Sequence, residues 1–118
     1  MLPALMRAEK LQSKASQVGF DWPQLEGALD KLKEEADELA QAQGAEITEE
    51  MGDLLFALVN VARFKEVEPE DALQKSNDKF VRRFNYVEDA IKASGRTWQE
   101  VSLEEMDHYW DEAKEKGL

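Results

Sequence analysis

The sequence predicts an all-α protein of about five helices, on three observations. Apolar residues recur at helical spacing along nearly the whole chain. Period-two alternation of the kind a half-buried strand requires is absent. Pro3, Pro23 and Pro69 all stand at or near the start of a periodic stretch, where a missing N–H costs nothing. With 118 residues, no repeat and no low-complexity segment, the chain reads as one domain, 1–118, large enough to bury a core.

The first helix is expected from Pro3 to Gly19 and carries Leu5, Met6, Leu11, Ala15 and Val18. In the following turn, GFDWP, Phe20 and Trp22 are expected to fold back as core plugs. The second helix runs from about Pro23 to Ala42, with Leu25, Leu29, Leu32, Ala36 and Leu39 as its stripe. A polar break centred on Gly44 leads to a third helix, Glu46 to Lys65. There Ile47, Met51, Leu54, Leu58, Val61 and Ala62 form one face, while Phe56 and Val59 lie opposite. A helix apolar nearly all round is expected to be buried all round, and a domain this small has little interior for it. A subunit interface solves that problem, so at least a homodimer is expected. Gly52 lowers helix propensity in mid-helix, which suggests close packing or ligand approach there.

A fourth helix is expected from Pro69 to Ser94, with Leu73, Phe80, Phe84, Val87 and Ile91 on its seam. The loop GRTWQEV then leads to SLEE, a capping box with Ser102 as cap and Glu105 three residues on. The final helix carries Met106, Tyr109, Trp110 and Ala113, and the tail EKGL is expected to fray.

Composition excludes several functions. Without cysteine there is neither a disulfide framework nor a thiolate metal site. MLPALMRAEK is too broken by charge for a signal peptide, and no apolar run approaches spanning length, so a cytoplasmic protein without membrane contact is expected. Lys and Arg number 15 against 26 Asp and Glu, a formal charge of −11, which argues against nucleic-acid binding. A polyanionic substrate needs a cation and a local basic cluster to offset that field.

Both are visible in the spacing. Residues three apart on a helix lie about 60° apart on one face. Glu35 and Glu38 form one such pair and Glu50 and Asp53 another, each bordering the apolar stripe of its helix. One acidic pair is ordinary surface decoration, but two on adjacent helices can converge, and convergent carboxylates repel unless a cation sits between them. An all-oxygen set favours Mg²⁺ or Mn²⁺ over zinc. The pattern lacks the Glu-x-x-His motifs of a di-iron bundle, and no EF-hand loop is present. Mg²⁺ held this way takes its remaining ligands from water and substrate phosphates. Lys79 and Arg83, four apart on one flank of the Phe80/Phe84 stripe, supply complementary cations, whose bland reading is solvated helix charge. His108 reads as a surface residue. Trp110 reads as core, although Lys114 one turn on makes a ligand wall of the pair.

EEADE, then EEMGDLLFALVNVARF, SNDKFVRRFNYVE and SLEEMDHYWDEAK closely resemble the MazG nucleoside triphosphate pyrophosphohydrolases, and PALMRAEKLQSKASQVGFDWP matches the entry to the same domain. The likeness is to the second, catalytic domain of the two-domain bacterial protein. It implies an all-α bundle, dimeric through interlocked helices, that converts ribo- or deoxynucleoside triphosphate to monophosphate and pyrophosphate with Mg²⁺. It implies Glu35, Glu38, Glu50 and Asp53 as metal ligands, with Glu35 or Glu38 orienting or deprotonating water. Lys79 and Arg83 would hold phosphates, and Trp110, Lys114 and Lys31 would contact the nucleotide. Two other readings remain open from sequence. One is a related all-α pyrophosphohydrolase of narrow choice, acting on dUTP, dCTP or phosphoribosyl-ATP. The other is a non-catalytic acidic oligomerisation module.

Overall fold

The computed structural model describes residues 2–118. These form α1 (Ala4–Gln17), α2 (Leu25–Gln41), α3 (Glu46–Phe64), α4 (Pro69–Ala93), a 3₁₀ turn (Trp98–Glu100) and α5 (Leu103–Glu115), with no strand among the described residues. The all-helical expectation holds, and the boundaries shift by one or two residues. Pro23 and Gln24 lead into α2 rather than opening it, since Gln24 is extended and caps the helix. None of the helices among the described residues is long and apolar enough to cross a membrane.

The chain divides into two compact units, Met1–Ala72 and Leu73–Leu118, with α4 starting in the first and continuing into the second. In the first unit α2 lies along α3 and α1 packs on α3. The connection across residues 42–45 is short, which makes α2 and α3 antiparallel neighbours. Small residues, Ala28 on α2 and Ala57 on α3, are buried along with Val59. Gly19, at φ +87°, stops α1, and the Phe20 N–H returns to the Ala15 carbonyl at 3.1 Å.

One expectation for this unit is corrected. Phe20 is 81% exposed and Trp22 41%, so neither is a core plug. Asp21 holds the turn to α3 through Arg63, which leaves the flanking rings on the surface side. Within the single chain α3 is not covered all round: Met51, Leu55, Phe56 and Leu58 stay about half exposed, the surface a subunit interface was expected to cover. Two neighbouring helices cannot cover every side of a third. At Gly52 a Cβ would meet nothing within 4 Å, so no packing within the chain calls for that glycine.

The second unit has its own core of Val87, Ile91 and Val101, against which Trp98, Met106, Tyr109 and Trp110 pack. The loop before α5 contains a full capping box of its own, since Thr97 and Glu100 satisfy each other reciprocally. At α5 only half of the expected box forms. Ser102 Oγ accepts from the Glu105 N–H at 3.1 Å, but the Glu105 carboxylate is taken by Arg96 at 2.6 Å. The tail does not fray: Leu118 N–H donates to the Ala113 carbonyl at 3.0 Å, and Arg83 Nε donates to the Leu118 carbonyl at 2.9 Å.

Candidate active site

Helix α2 presents Glu35 and Glu38 one turn apart, and α3 brings Glu50 against them. One carboxylate oxygen from each lies within 4.8 Å of the others. Glu35 is only 5% exposed, Glu50 is half-buried and Glu38 stands at the exposed rim. Lys31, one turn before Glu35, places Nζ 3.0 Å from Glu35 Oε1 and 3.6 Å from Glu34 Oε1. Glu35 Oε2 and Glu50 Oε2 are buried without any hydrogen-bond partner.

The electrostatics follow from this crowding. The hydrogen bond from Lys31 holds the Glu35 carboxyl below its usual value, and that bond in turn raises Lys31. Desolvation, and then the charge of Glu35, pushes Glu38 up. Burial, followed by Glu38 and Glu35, pushes Glu50 up to about 7. Three acids served by one lysine thus hold more negative charge than the protein balances. A hard divalent cation fits such a site, because oxygen is its preferred donor and the two orphaned oxygens point to an unmet need. Asp53, one turn beyond Glu50 and exposed, is not within this group of three among the described residues.

Asp53 joins Glu35 and Lys31 in lining an adjoining cavity of about 660 Å³. Phe20, Trp22, Gln12, Asn60 and Arg63 also line it. Its wall is organised by Asp21, whose Oδ1 accepts from the Trp22 N–H at 2.8 Å and from Arg63 Nη2. The same Arg63 nitrogen donates to Asn60 Oδ1 at 2.7 Å. The Trp22 indole lies against Gly27 of α2, where a Cβ would come within 2.8 Å of the ring. Gly27 is therefore what lets the indole approach the helix.

The remaining sequence-derived candidates lie in the second unit. Arg83 stands over the Trp110 ring, 5.6 Å from its centroid. Phe80 packs against Trp110 at 5.4 Å and stacks on Phe84 at 5.8 Å, which stacks on Trp98 at 5.4 Å. Lys79 and Lys114 are exposed, on α4 and α5. His108, also exposed, has Nε2 3.2 Å from Glu112 Oε1 and takes no part in the acidic cluster.

Sequence reasoning missed Gln12, Asp21, Asn60 and Arg63. The one signal available was that Asn60 and Arg63 interrupt an otherwise apolar α3 at i, i+3 spacing.

Comparison with known proteins bears on the same residues. The family model for the MazG nucleotide pyrophosphohydrolase domain matches residues 24–88. A Thermotoga maritima protein named nucleoside triphosphate pyrophosphohydrolase/pyrophosphatase MazG is 47% identical over 115 residues, 97% of this chain and 45% of that protein. A nucleoside triphosphate pyrophosphohydrolase of Escherichia coli K12 is 47% identical over 123 aligned residues, 99% of this chain and 47% of its own length. An uncharacterised Bacillus subtilis protein, YabN, is 59% identical over 66 residues, 56% of this chain and 14% of that one. The chain thus spans about half the length of the first two.

Proposed function

The chain belongs to the MazG nucleotide pyrophosphohydrolase family, and on that premise we propose that it hydrolyses ribo- and deoxynucleoside triphosphates to monophosphate and pyrophosphate. Mg²⁺, or Mn²⁺ in its place, is the cofactor. The observation that carries this reading is the convergence of Glu35, Glu38 and Glu50 with two buried oxygens that no protein group satisfies. Those three carboxylates, with Asp53 beside the same cavity, would hold the ion. Once bound, a divalent cation supplies the positive charge that polarises phosphate and makes water a better nucleophile.

The chain's own residues do the rest. Glu38, the exposed member of the cluster, orients the attacking water at the α-phosphorus and takes its proton. Glu35, kept ionised by Lys31, serves as the fixed anion of the site, and Lys31 can share its charge with substrate phosphate. Lys79 and Arg83, through their match to the family's motifs, neutralise the departing pyrophosphate. Trp110 and Lys114 contact the nucleotide on the same ground. The active form is a homodimer or higher oligomer, a reading supported by the half-exposed Met51, Leu55, Phe56 and Leu58 of α3, and it works in the cytoplasm.

The test is product analysis over a panel of nucleoside triphosphates, with Mg²⁺ and with EDTA. Pyrophosphate and monophosphate formed from several bases, only with the metal, are expected. Orthophosphate as the product, or equal rates in EDTA, would overturn the reading.

A further inference from the structure

We propose that Gly117 and Leu118, which cap α5, are positioning residues for Arg83: the Leu118 carbonyl takes Nε and leaves both Nη groups free for phosphate. The proposal rests on the pyrophosphohydrolase reading above, in which Arg83 receives the departing pyrophosphate. A guanidinium carries one N–H on Nε and four on its two Nη atoms. In Arg83 the Nε N–H donates to the Leu118 carbonyl at 2.9 Å, the one hydrogen bond this side chain makes among the described residues. One face of the guanidinium lies over Trp110, with Cζ 5.6 Å from the ring centroid. Held at Nε and over the ring, the planar group presents its remaining edge, the two Nη atoms, in one orientation. That edge is the fork that matches a phosphate oxygen pair.

The anchor is itself fixed by backbone geometry. Gly117, at φ +81°, donates its N–H to the Lys114 carbonyl at 3.0 Å, and the Leu118 N–H donates to the Ala113 carbonyl at 3.0 Å. This pair of bonds is the Schellman arrangement, which needs a left-handed residue at the glycine position. It turns the chain so that the Leu118 carbonyl meets Arg83. Three residues beyond Arg83, on the same face of α4, the Tyr86 hydroxyl donates to Glu112 Oε2 at 3.0 Å. Lys116 lies over the Tyr86 ring, 5.9 Å from its centroid. These contacts hold the last turn of α5 in register with α4. A long side chain held before its ligand arrives has less freedom to lose on binding, a gain of up to roughly tenfold in affinity. A tie that served only to join α4 and α5 would use the same bond, and the experiment separates the two.

Pyrophosphate is titrated calorimetrically, with Mg²⁺, into wild type, Gly117→Val, Gly117→Asn, Arg83→Lys and the double variant of Gly117→Val with Arg83→Lys. Valine is strained at a positive φ, whereas asparagine adopts it readily. Gly117→Val should bind roughly tenfold more weakly, and Gly117→Asn within about twofold of wild type. In the Arg83→Lys background Gly117→Val should add less than about twofold, since a lysine has no fork for the cap to aim. No loss in Gly117→Val, no recovery in Gly117→Asn, or equal losses in both backgrounds would overturn the proposal. Arg83→Lys leaves the bonds of the cap intact and so serves even where Gly117→Val does not fold. Wild-type affinity in Arg83→Lys, or no binding of pyrophosphate by wild type, would also overturn it. Triphosphate turnover by wild type, measured alongside, separates the two layers. The expected affinities without turnover would keep the anchored arginine and remove the pyrophosphohydrolase reading. Turnover with unaltered affinities would do the reverse.

Discussion

Two helix glycines give opposite predictions for the same substitution. Replacing an unconstrained mid-helix glycine by alanine stabilises by about 1 kcal/mol through helix propensity. At Gly52 a Cβ meets nothing within 4 Å, so Gly52→Ala should gain that amount. At Gly27 the new Cβ would sit 2.8 Å from Trp22 Cε3 and 3.2 Å from Cδ2, closer than carbon atoms tolerate. The obstacle is a rigid ring rather than the tip of a flexible chain, so Trp22 must leave its seat. Overpacking of this kind costs about 1–3 kcal/mol. Set against the propensity gain, Gly27→Ala should lose between about 0 and 2 kcal/mol. For a chain of this length 1 kcal/mol moves Tm by roughly 3–6 °C. Thermal unfolding by circular dichroism should therefore show Gly52→Ala rising by about 4 °C and Gly27→Ala unchanged or falling by up to about 8 °C. Tryptophan emission should red-shift in Gly27→Ala alone, as a half-covered indole moves into water. A rise in Tm for Gly27→Ala that matches Gly52→Ala, without a spectral change, would refute the seating of Trp22. A fall at Gly52 would mean that another subunit covers it.

Alanine at Glu38 or Asp53 should lower kcat at least about a hundredfold with Tm kept within a few degrees; near-normal turnover would remove that residue from the site. Millimolar Mg²⁺ should raise the Tm of wild type by mass action, about 2.7 kcal/mol at a hundredfold excess over Kd, and Glu35→Gln should abolish the rise. The Asp21 carboxyl is held below its usual value, chiefly by the hydrogen bond from Arg63. A depressed carboxyl binds fewer protons folded than unfolded, so its contribution is complete above the unfolded value of about 3.8 and is lost as pH falls through the lower folded value. Asp21→Asn should therefore cost roughly 1 kcal/mol at neutral pH and soften the acid limb of the stability profile; an unchanged acid limb would count against the Asp21–Arg63 pair.

The helices and the acidic cluster were legible because both are local. Apolar period and turn residues are written in consecutive positions, and Glu35 and Glu38 share a face by spacing alone. Only the α2–α3 hairpin had to be supplied to bring Glu50 to them. The cavity was not legible, because its parts meet across long separations: Gln12 bonds the Phe56 carbonyl, 44 residues away, and Asp21 pairs with Arg63, 42 away. Phe20 and Trp22 read as core because an apolar residue in a turn does not say which side of it water occupies. Gly52 reads as close packing or ligand approach, but the glycine with an aromatic ring packed against it within the chain is Gly27. A glycine in sequence announces a missing Cβ but not what would have met it. Glu105 was read as the reciprocal half of a capping box, but Arg96 competes for it, and a charged partner is stronger than a backbone N–H.

The central claim is that this chain splits nucleoside triphosphates at the α-phosphorus with a divalent cation held by the Glu35, Glu38 and Glu50 cluster. Turnover in heavy-oxygen water, with Mg²⁺ and the products separated by mass, tests it most directly. The account predicts one labelled oxygen in the monophosphate and none in the pyrophosphate, with all product lost in EDTA. Label in the pyrophosphate or in orthophosphate, or no product at all with Mg²⁺ present, would contradict it.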